Sequence, residues 1–350
     1  MHNLQLTEDH DLIVDTVRKY VVDSVAPKAL EHDEHRVLAR AEFDGLAELG
    51  LFGLSIAEAN GGAGMGLLPF VAALEAVGAH SSSLARLMIG QVQCALALEI
   101  AGAAALEAVV GGGTLAAFVG PEHQLQCAGG AITGTAEFVP GGMPADLLLV
   151  AASENGQPVL AVVEGPGAQR TALRSLGLAS AGPARVVFAG AKATVVATGD
   201  TAAQAIARAQ VVAWIGVAAT CCGGGAESVQ AGKRHASQRI AFGKPLLVQE
   251  AVMRKLVESQ RGVDAARHLT WHAARLSDLG SDATDAAMQA RITAVDAMVA
   301  AADESIQIHG GFGYTVEYHV ERHYRDGKTL EVLDGGSDRL RDQLARRQFA

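Results

Sequence analysis

Two short runs of residues carry the chemistry that this sequence offers. The first is Arg239-Ile240-Ala241-Phe242-Gly243-Lys244-Pro245-Leu246; the second, Gln307-Ile308-His309-Gly310-Gly311-Phe312-Gly313-Tyr314, begins 68 positions later (239 to 307). A guanidinium is a planar fork of donors that matches the oxygens of a pyrophosphate, and a neighbouring ring can pack beside the molecule that carries it. Gly310, Gly311 and Gly313, following an apolar helix end, allow positive φ and let the backbone approach a bulky anion. Each run also has a plain reading: an arginine at a helix C-terminus complements the helix dipole, and a glycine cluster stops a helix. His319 and His323 stand four apart, a spacing that can chelate a metal on a helix, but no third ligand of persuasive spacing accompanies them. Cys221-Cys222 lies in an apolar run beside Gly223–Gly225 and reads as packed core. Those glycines each cost roughly 1 kcal/mol of helix propensity against alanine, which implies close helix contact or local strain.

Long helices must position these groups. Apolar residues recur at helical spacing from Thr7 to about Gly111, with a bend at Pro27, and further blocks span Arg40–Leu49, Leu67–Val77 and Leu84–Ile100. Residues 57–66 form a turn-rich connector. Between Thr114 and Gly199 the texture changes to short apolar runs (Leu115–Val119, Leu147–Ala152, Val159–Val163, Arg185–Phe188, Ala193–Ala197) broken by Gly, Pro and Asn, the texture of a small β domain. Only nine Asp, Glu, Lys or Arg residues fall in that stretch, so at least one face of its sheet is expected to be covered. Helical patterns return over Ala203–Gln238, Leu247–Leu279 and Asp282–His309, with a last amphipathic stretch from Leu330. The order predicts an α+β architecture of three parts, residues 1–113, 114–199 and 200–350, and not a Rossmann sheet.

Composition narrows the function classes. A chain of 350 residues, 49% hydrophobic, can bury substantial cores. A net charge of −10 with no basic tract, and only 4% aromatics, argues against a nucleic-acid surface. The most apolar stretches, Leu147–Ala152 and Ala205–Cys222, read as too short or too interrupted for a membrane span of about 20 residues. Acids in MHNLQLTEDHDLIVD oppose a signal peptide, and four cysteines form no disulfide framework or zinc spacing, so a cytoplasmic setting is expected.

The two runs resemble the R-x-x-F-G-x-P-L and Q-I-x-G-G motifs of the acyl-CoA dehydrogenases. The helix-and-loop opening (LTEDHDLIVDTVRKYV, VAPKALEHDE, LAELGLFGLSIAEANGGAGMG) and the middle segment VEGPGAQRTALRSLGLASAGPARVVFAGAKA are similar to that family too, so the resemblance covers nearly the whole chain. It implies an N-terminal helical domain, a middle β domain and a C-terminal four-helix bundle. It also implies an FAD-dependent oxidoreductase that removes the α and β hydrogens of an acyl-CoA thioester, passes electrons to an electron-transferring flavoprotein and assembles as a tetramer. In the family these motifs reach the adenosine diphosphate half of FAD held by a neighbouring subunit. The matching positions are Arg239, Phe242, Gln307, Gly310 and Gly311.

Three departures qualify the resemblance. Where the family commonly has Y-E-G-T after R-D-x-K, the glutamate being the α-proton base, this chain reads Leu333-Asp334-Gly335-Gly336 after Arg325-Asp326-Gly327-Lys328. Asp334 is the positional counterpart: either a shorter carboxylate base or an ordinary turn residue. In the alternative family position for the base, near Ala213-Trp214, no acid stands. The flavin-ring motifs of the family correspond here to Phe118-Val119-Gly120-Pro121-Glu122-His123 and Phe138-Val139-Pro140-Gly141-Gly142, which lack the usual donors. After the first run Glu250 replaces the family's glutamine, and Gln249 beside it is the candidate substitute. The pattern suggests a chain that contributes the adenosine-diphosphate side of a shared FAD site to a heteromeric dehydrogenase, and the resemblance extends to paired-subunit enzymes that act on steroid-derived acyl-CoA. The alternatives are a self-sufficient homotetramer with Asp334 as base, and a flavin-free scaffold or acyl-CoA binding protein.

Overall fold

The structure is a computed structural model that describes residues 6–349. Its helices are α1 (Glu8–Tyr20), α2 (Ala29–His35), α3 (Arg40–Glu48), α4 (Leu68–Gly78), α5 (Ser82–Ala101) and α6 (Leu106–Val110). Eight strands follow: β1 (Ala116–Val119), β2 (Leu125–Ala128), β3 (Ala131–Val139), β4 (Leu147–Glu154), β5 (Gln157–Glu164), β6 (Gln169–Ala172), β7 (Ala184–Lys192) and β8 (Thr194–Thr198). Then come α7 (Gly199–Gln238), the short strands β9 (Ile240–Ala241) and β10 (Lys244–Pro245), α8 (Glu250–Asp278), α9 (Thr284–His309), α10 (Val320–Val332) and α11 (Ser337–Phe349). Helices, sheet, helices is the predicted α+β order. The final helical stretch, expected from Leu330, is instead two helices parted at Asp334.

Contacts divide the described chain into two compact units, and neither is continuous in sequence. One comprises Glu31–Phe70 and Ser83–Trp214 and contains the sheet, ordered β6-β7-β3-β2-β4-β5-β8, with β1 pairing β4. β1 and β2 lie successively along one edge of β4, both parallel to it, while β5 pairs antiparallel along the other. β4 is buried along most of its length, which explains why its sequence is a continuous apolar run and not an alternating one.

The other unit takes the described residues of Met1–Leu30, Val71–Ser82 and Ile215–Ala350. α1 opens it with a matched set of end signals: the Thr7 hydroxyl accepts from the His10 N–H at 3.3 Å, acids fill the first turn and Arg18 and Lys19 the last. Three consecutive glycines on α7 make this unit's close contacts. A Cβ on Gly223 would lie 2.1 Å from the Glu75 carbonyl oxygen of α4, one on Gly224 would lie 2.5 Å from Met298 of α9 and 3.2 Å from His323 of α10, and one on Gly225 would lie 2.8 Å from Val263 of α8. Four helices therefore press on one turn of α7, which is the close contact that the glycines imply. Burying Met298 there is worth about 1.5–3 kcal/mol. The Glu75 carboxylate of α4 also accepts from Arg267 Nε at 2.7 Å and from Trp271 Nε1 at 2.6 Å on α8.

α7, which contains Ala205–Cys222, corrects the expectation that this stretch is too short or interrupted, and α5 resembles it. Both are long and apolar enough to cross a membrane, but 83% and 78% of the qualifying windows are buried inside the fold. Burial, not shortness, is what accounts for their apolar character. All four cysteines are buried free thiols. Burial holds Cys221 far above its ordinary range and Cys222 up to about 12, so neither is a ready nucleophile.

Candidate functional site

α7 runs to Gln238, and the chain then folds back as a two-residue hairpin. Ala241 pairs with Lys244 and Ile240 with Pro245, leaving Phe242 and Gly243 as the loop, at φ 54° and 77°. Positive φ at both loop positions is the primed-turn geometry that fits strand twist. Glycine takes it freely; Phe242 takes it at a cost of about 1–2 kcal/mol. The ring stands in solvent, 96% exposed. Backbone bonds fix the root of the hairpin, with the Leu246 N–H donating to the Arg239 carbonyl at 2.7 Å and the Arg239 N–H to the His235 carbonyl at 2.9 Å.

α9 ends at His309 because Gly310 turns to φ 62°, ψ −137°, a region closed to other residues. Of the three glycines expected to use positive φ, only Gly310 does. Gly313 is required for space instead, since a Cβ there would sit 2.4 Å from the Ile306 carbonyl oxygen. Gly311 meets neither condition; the space above its Cα is open.

These two chain reversals border one open cavity of about 550 Å³. Arg239, Gln307, Gly310 and Gly311 line it with Leu246 and Phe312. Its wall is a stack of His235 on His309, ring centroids 4.3 Å apart. His309 Nδ1 lies 2.7 Å from the Ser305 carbonyl, so the neutral ring carries its proton there and leaves Nε2 to accept. Burial, more than neighbouring charge, holds both imidazoles below the ordinary histidine value, and the wall is uncharged at neutral pH. Sequence reasoning did not single out this stack, although His235 stands one helical turn before Arg239 and His309 lies inside the second run.

The remaining candidates lie outside the cavity lining. Phe242 projects from the hairpin tip. Gln249 is the N-cap of α8; its carbonyl accepts from Val252 and Met253 and its side chain makes no capping bond. Glu250 lines a different cavity with Arg254 and Lys255, away from Arg239. Asp334 sits between α10 and α11, half-buried at φ 49°, followed by Gly335 and Gly336, also at positive φ. The fully buried Arg291 of α9 fixes this turn, donating from Nη2 to the carbonyls of Leu330, at 3.0 Å, and Leu333.

In the sheet unit, the two segments matched to flavin-ring motifs carry no indole and no hydroxyl. The Glu122 carboxylate folds over Gly120, where a Cβ would be 2.2 Å from it, and lies 3.6 Å from His123 Nε2. Val139, at the end of β3, is buried.

What the unit with the hairpin can do chemically is bind an anion with an apolar or ring-bearing attachment: a guanidinium, a primary amide, open glycine backbone and an uncharged ring wall converge on one space. Comparison with known proteins adds to this. The family model described as "Acyl-CoA dehydrogenase, C-terminal domain" matches residues 202–349, and the corresponding N-terminal domain matches residues 7–109. Acryloyl-CoA reductase (NADH) of Anaerotignum propionicum is 26% identical over 98% of this chain and 95% of its own length. The mitochondrial short-chain specific acyl-CoA dehydrogenase of Homo sapiens is 24% identical over 96% of this chain and 89% of its own. Butyryl-CoA dehydrogenase from Megasphaera elsdenii superposes with a TM-score of 0.92, covering all of both chains at 24% identity.

Proposed function

The chain belongs to the acyl-CoA dehydrogenase family, and from that premise we propose that it is the adenosine-diphosphate-binding chain of an FAD-dependent acyl-CoA dehydrogenase. The observation that carries this reading is the convergence of Arg239 with Gln307, Gly310 and Gly311, from segments 68 positions apart (239 to 307), on one cavity. The donor set fits the group. Arg239 would neutralise the pyrophosphate, the Gln307 amide would donate to it or to a ribose, and the bare backbone at Gly310-Gly311 would admit its close approach. The His235–His309 stack would close the cavity behind it, and Phe242 would reach from the hairpin toward the chain that holds the rest of the cofactor. FAD, when bound, supplies the hydride acceptor for α,β-dehydrogenation of an acyl-CoA thioester. The lack of an indole and of any hydroxyl at residues 118–123 and 138–142 supports a flavin ring held by a second acyl-CoA dehydrogenase chain in a tetramer.

An electron-transferring flavoprotein as acceptor, a bulky acyl chain, a cytoplasmic setting and a division into residues 1–113, 114–199 and 200–350 belong to the same reading. So does Gln249 as a reserve contact at the start of α8. The test is flavin stoichiometry by absorbance, on the chain alone and on the chain co-expressed with a dehydrogenase partner. Flavin acquired only with the partner, and lost on Arg239→Gln, supports the proposal. A chain that is yellow alone and reduces an artificial acceptor with an acyl-CoA would replace it with the self-sufficient enzyme. In that enzyme Asp334→Asn must lower turnover by about 100-fold or more, as loss of a general base does. No flavin in either preparation would leave a scaffold or acyl-CoA binder.

A further inference from the structure

The start of α10 frames a second cavity, of about 260 Å³, which shares the His235–His309 stack with the first as a common wall. Tyr318 meets that stack edge-on, its ring centroid 5.3 Å from that of His309 and 6.3 Å from that of His235. Deep in the lining is His323, 1% exposed, and neither of its ring nitrogens has a hydrogen-bond partner within the protein. The missing side chain at Gly224 is what admits this ring. A buried imidazole in that condition keeps its desolvation cost without compensation, which marks the position as one prepared for a polar ligand.

The helix itself adds a second source of attraction. α10 has 13 residues, its N-cap His319 makes no side-chain capping bond, and its first turn opens where Tyr318, His319 and Val320 line the cavity. The orphan N–H groups and the positive end of the helix dipole favour an anion there. Arg234 of α7 lines the cavity as well, and Arg322, which precedes His323 on α10, donates to the His80 carbonyl at 2.7 Å. Three acids oppose them, one of them Glu321 in the first turn of α10 itself, where it is ion-paired with Arg325. Glu227 is ion-paired with Arg234, and the exposed Glu317 accepts from the Thr315 hydroxyl at 3.4 Å. A cation would face the wrong end of the helix, and among the described residues no three His, Cys, Asp or Glu groups converge to hold one.

We infer that this cavity is a binding site for a phosphate group, held by the N-terminal turn of α10, Arg234 and His323, and distinct from the cavity that Arg239 lines. The inference does not depend on the flavin reading. His80, His235, His309, His319 and His323 are each held below the ordinary histidine value, chiefly by burial. They meet a ligand at neutral pH as uncharged donors and acceptors. A bound anion favours their protonated forms.

The experiment is calorimetric titration of inorganic phosphate into the full chain at neutral pH. Saturable binding is expected, about tenfold or more weaker in Arg234→Gln as for loss of a charge-assisted hydrogen bond, and retained in Arg239→Gln. Both arginines are exposed, so neither variant endangers folding. In the unsubstituted protein the His323 ring resonances should move on phosphate addition, a readout that needs no substitution in the core. Repeating the titration with adenosine monophosphate separates the sources: equal affinity identifies the free ion, and an affinity about tenfold higher or more identifies a nucleotide phosphate. Binding lost in Arg239→Gln but kept in Arg234→Gln would move the ion to the first cavity and overturn the inference. Non-saturating heats, or no movement of His323, would leave an adventitious ion only and overturn it equally.

Discussion

Phe242 holds a backbone conformation that a phenylalanine does not choose, at φ 54° with its ring in solvent. Strain of this kind persists where function selects it over stability. Phe242→Gly is therefore expected to raise stability by roughly 1 kcal/mol in thermal or urea unfolding while lowering flavin retained by the partnered complex. A loss of stability would show that the ring packs against this chain after all. The buried histidines give a second test. Their depressed values in the folded state mean that the unfolded chain binds more protons once pH drops below the ordinary histidine value of about 6.5. Stability should thus be complete above that value and fall as pH decreases through it toward the depressed ones. His323→Leu should shrink the acid-side fall in melting temperature, and an unchanged fall would assign it to other groups. At this scale the sequence announces Arg239, Gln307 and Gly310, because their chemistry and spacing are local. The imidazole stack and the orphaned His323 are not announced, since both depend on which helix faces which.

The glycine turn of α7 ranks its own substitutions. Replacing Gly223 by alanine drives a Cβ against the Glu75 carbonyl, a backbone atom with no freedom to move, whereas at Gly225 the obstacle is the Val263 side chain. Each change gains about 1 kcal/mol of helix propensity, and overpacking costs about 1–3 kcal/mol or more. Gly223→Ala should be clearly destabilising and Gly225→Ala much less so, as read from urea midpoints; the reverse order would contradict the packing described. The long helices are legible in sequence because their apolar period runs for many turns. β2, β3 and β6 are not, for physical reasons. β2 and β3 are short or polar-rich, and β6 (Gln169-Arg170-Thr171-Ala172) is a sheet-edge strand with no buried residue. Gly129-Gly130 between β2 and β3 was a readable hairpin signal. The break between α10 and α11 is hidden because amphipathic spacing continues on both sides of a turn fixed by Arg291, a residue some forty positions earlier (291 to 333).

As a whole molecule, the unit that carries both cavities is assembled from three separated stretches of chain. Its α8 residues Arg267 and Trp271 depend on Glu75, and Gly223 is shaped to the backbone of α4. A fragment of residues 200–349 should therefore bind a hydrophobic dye and melt without a sharp transition, although a family domain model matches nearly that span. A cooperative melt near that of the full chain would show that the α4 segment is dispensable. The same discontinuity sets an order of events during synthesis. Gly78 leaves the ribosome 145 residues before Gly223 (223 less 78), an interval of roughly 7–30 s at ordinary elongation rates. Throughout it the face of α4 at Glu75 and Gly78, fitted to Gly223 and Thr220 of α7, waits without that helix. The nascent chain must therefore shelter an unpaired apolar segment until its partner is translated, which makes it a natural client for a chaperone that binds at the exit tunnel.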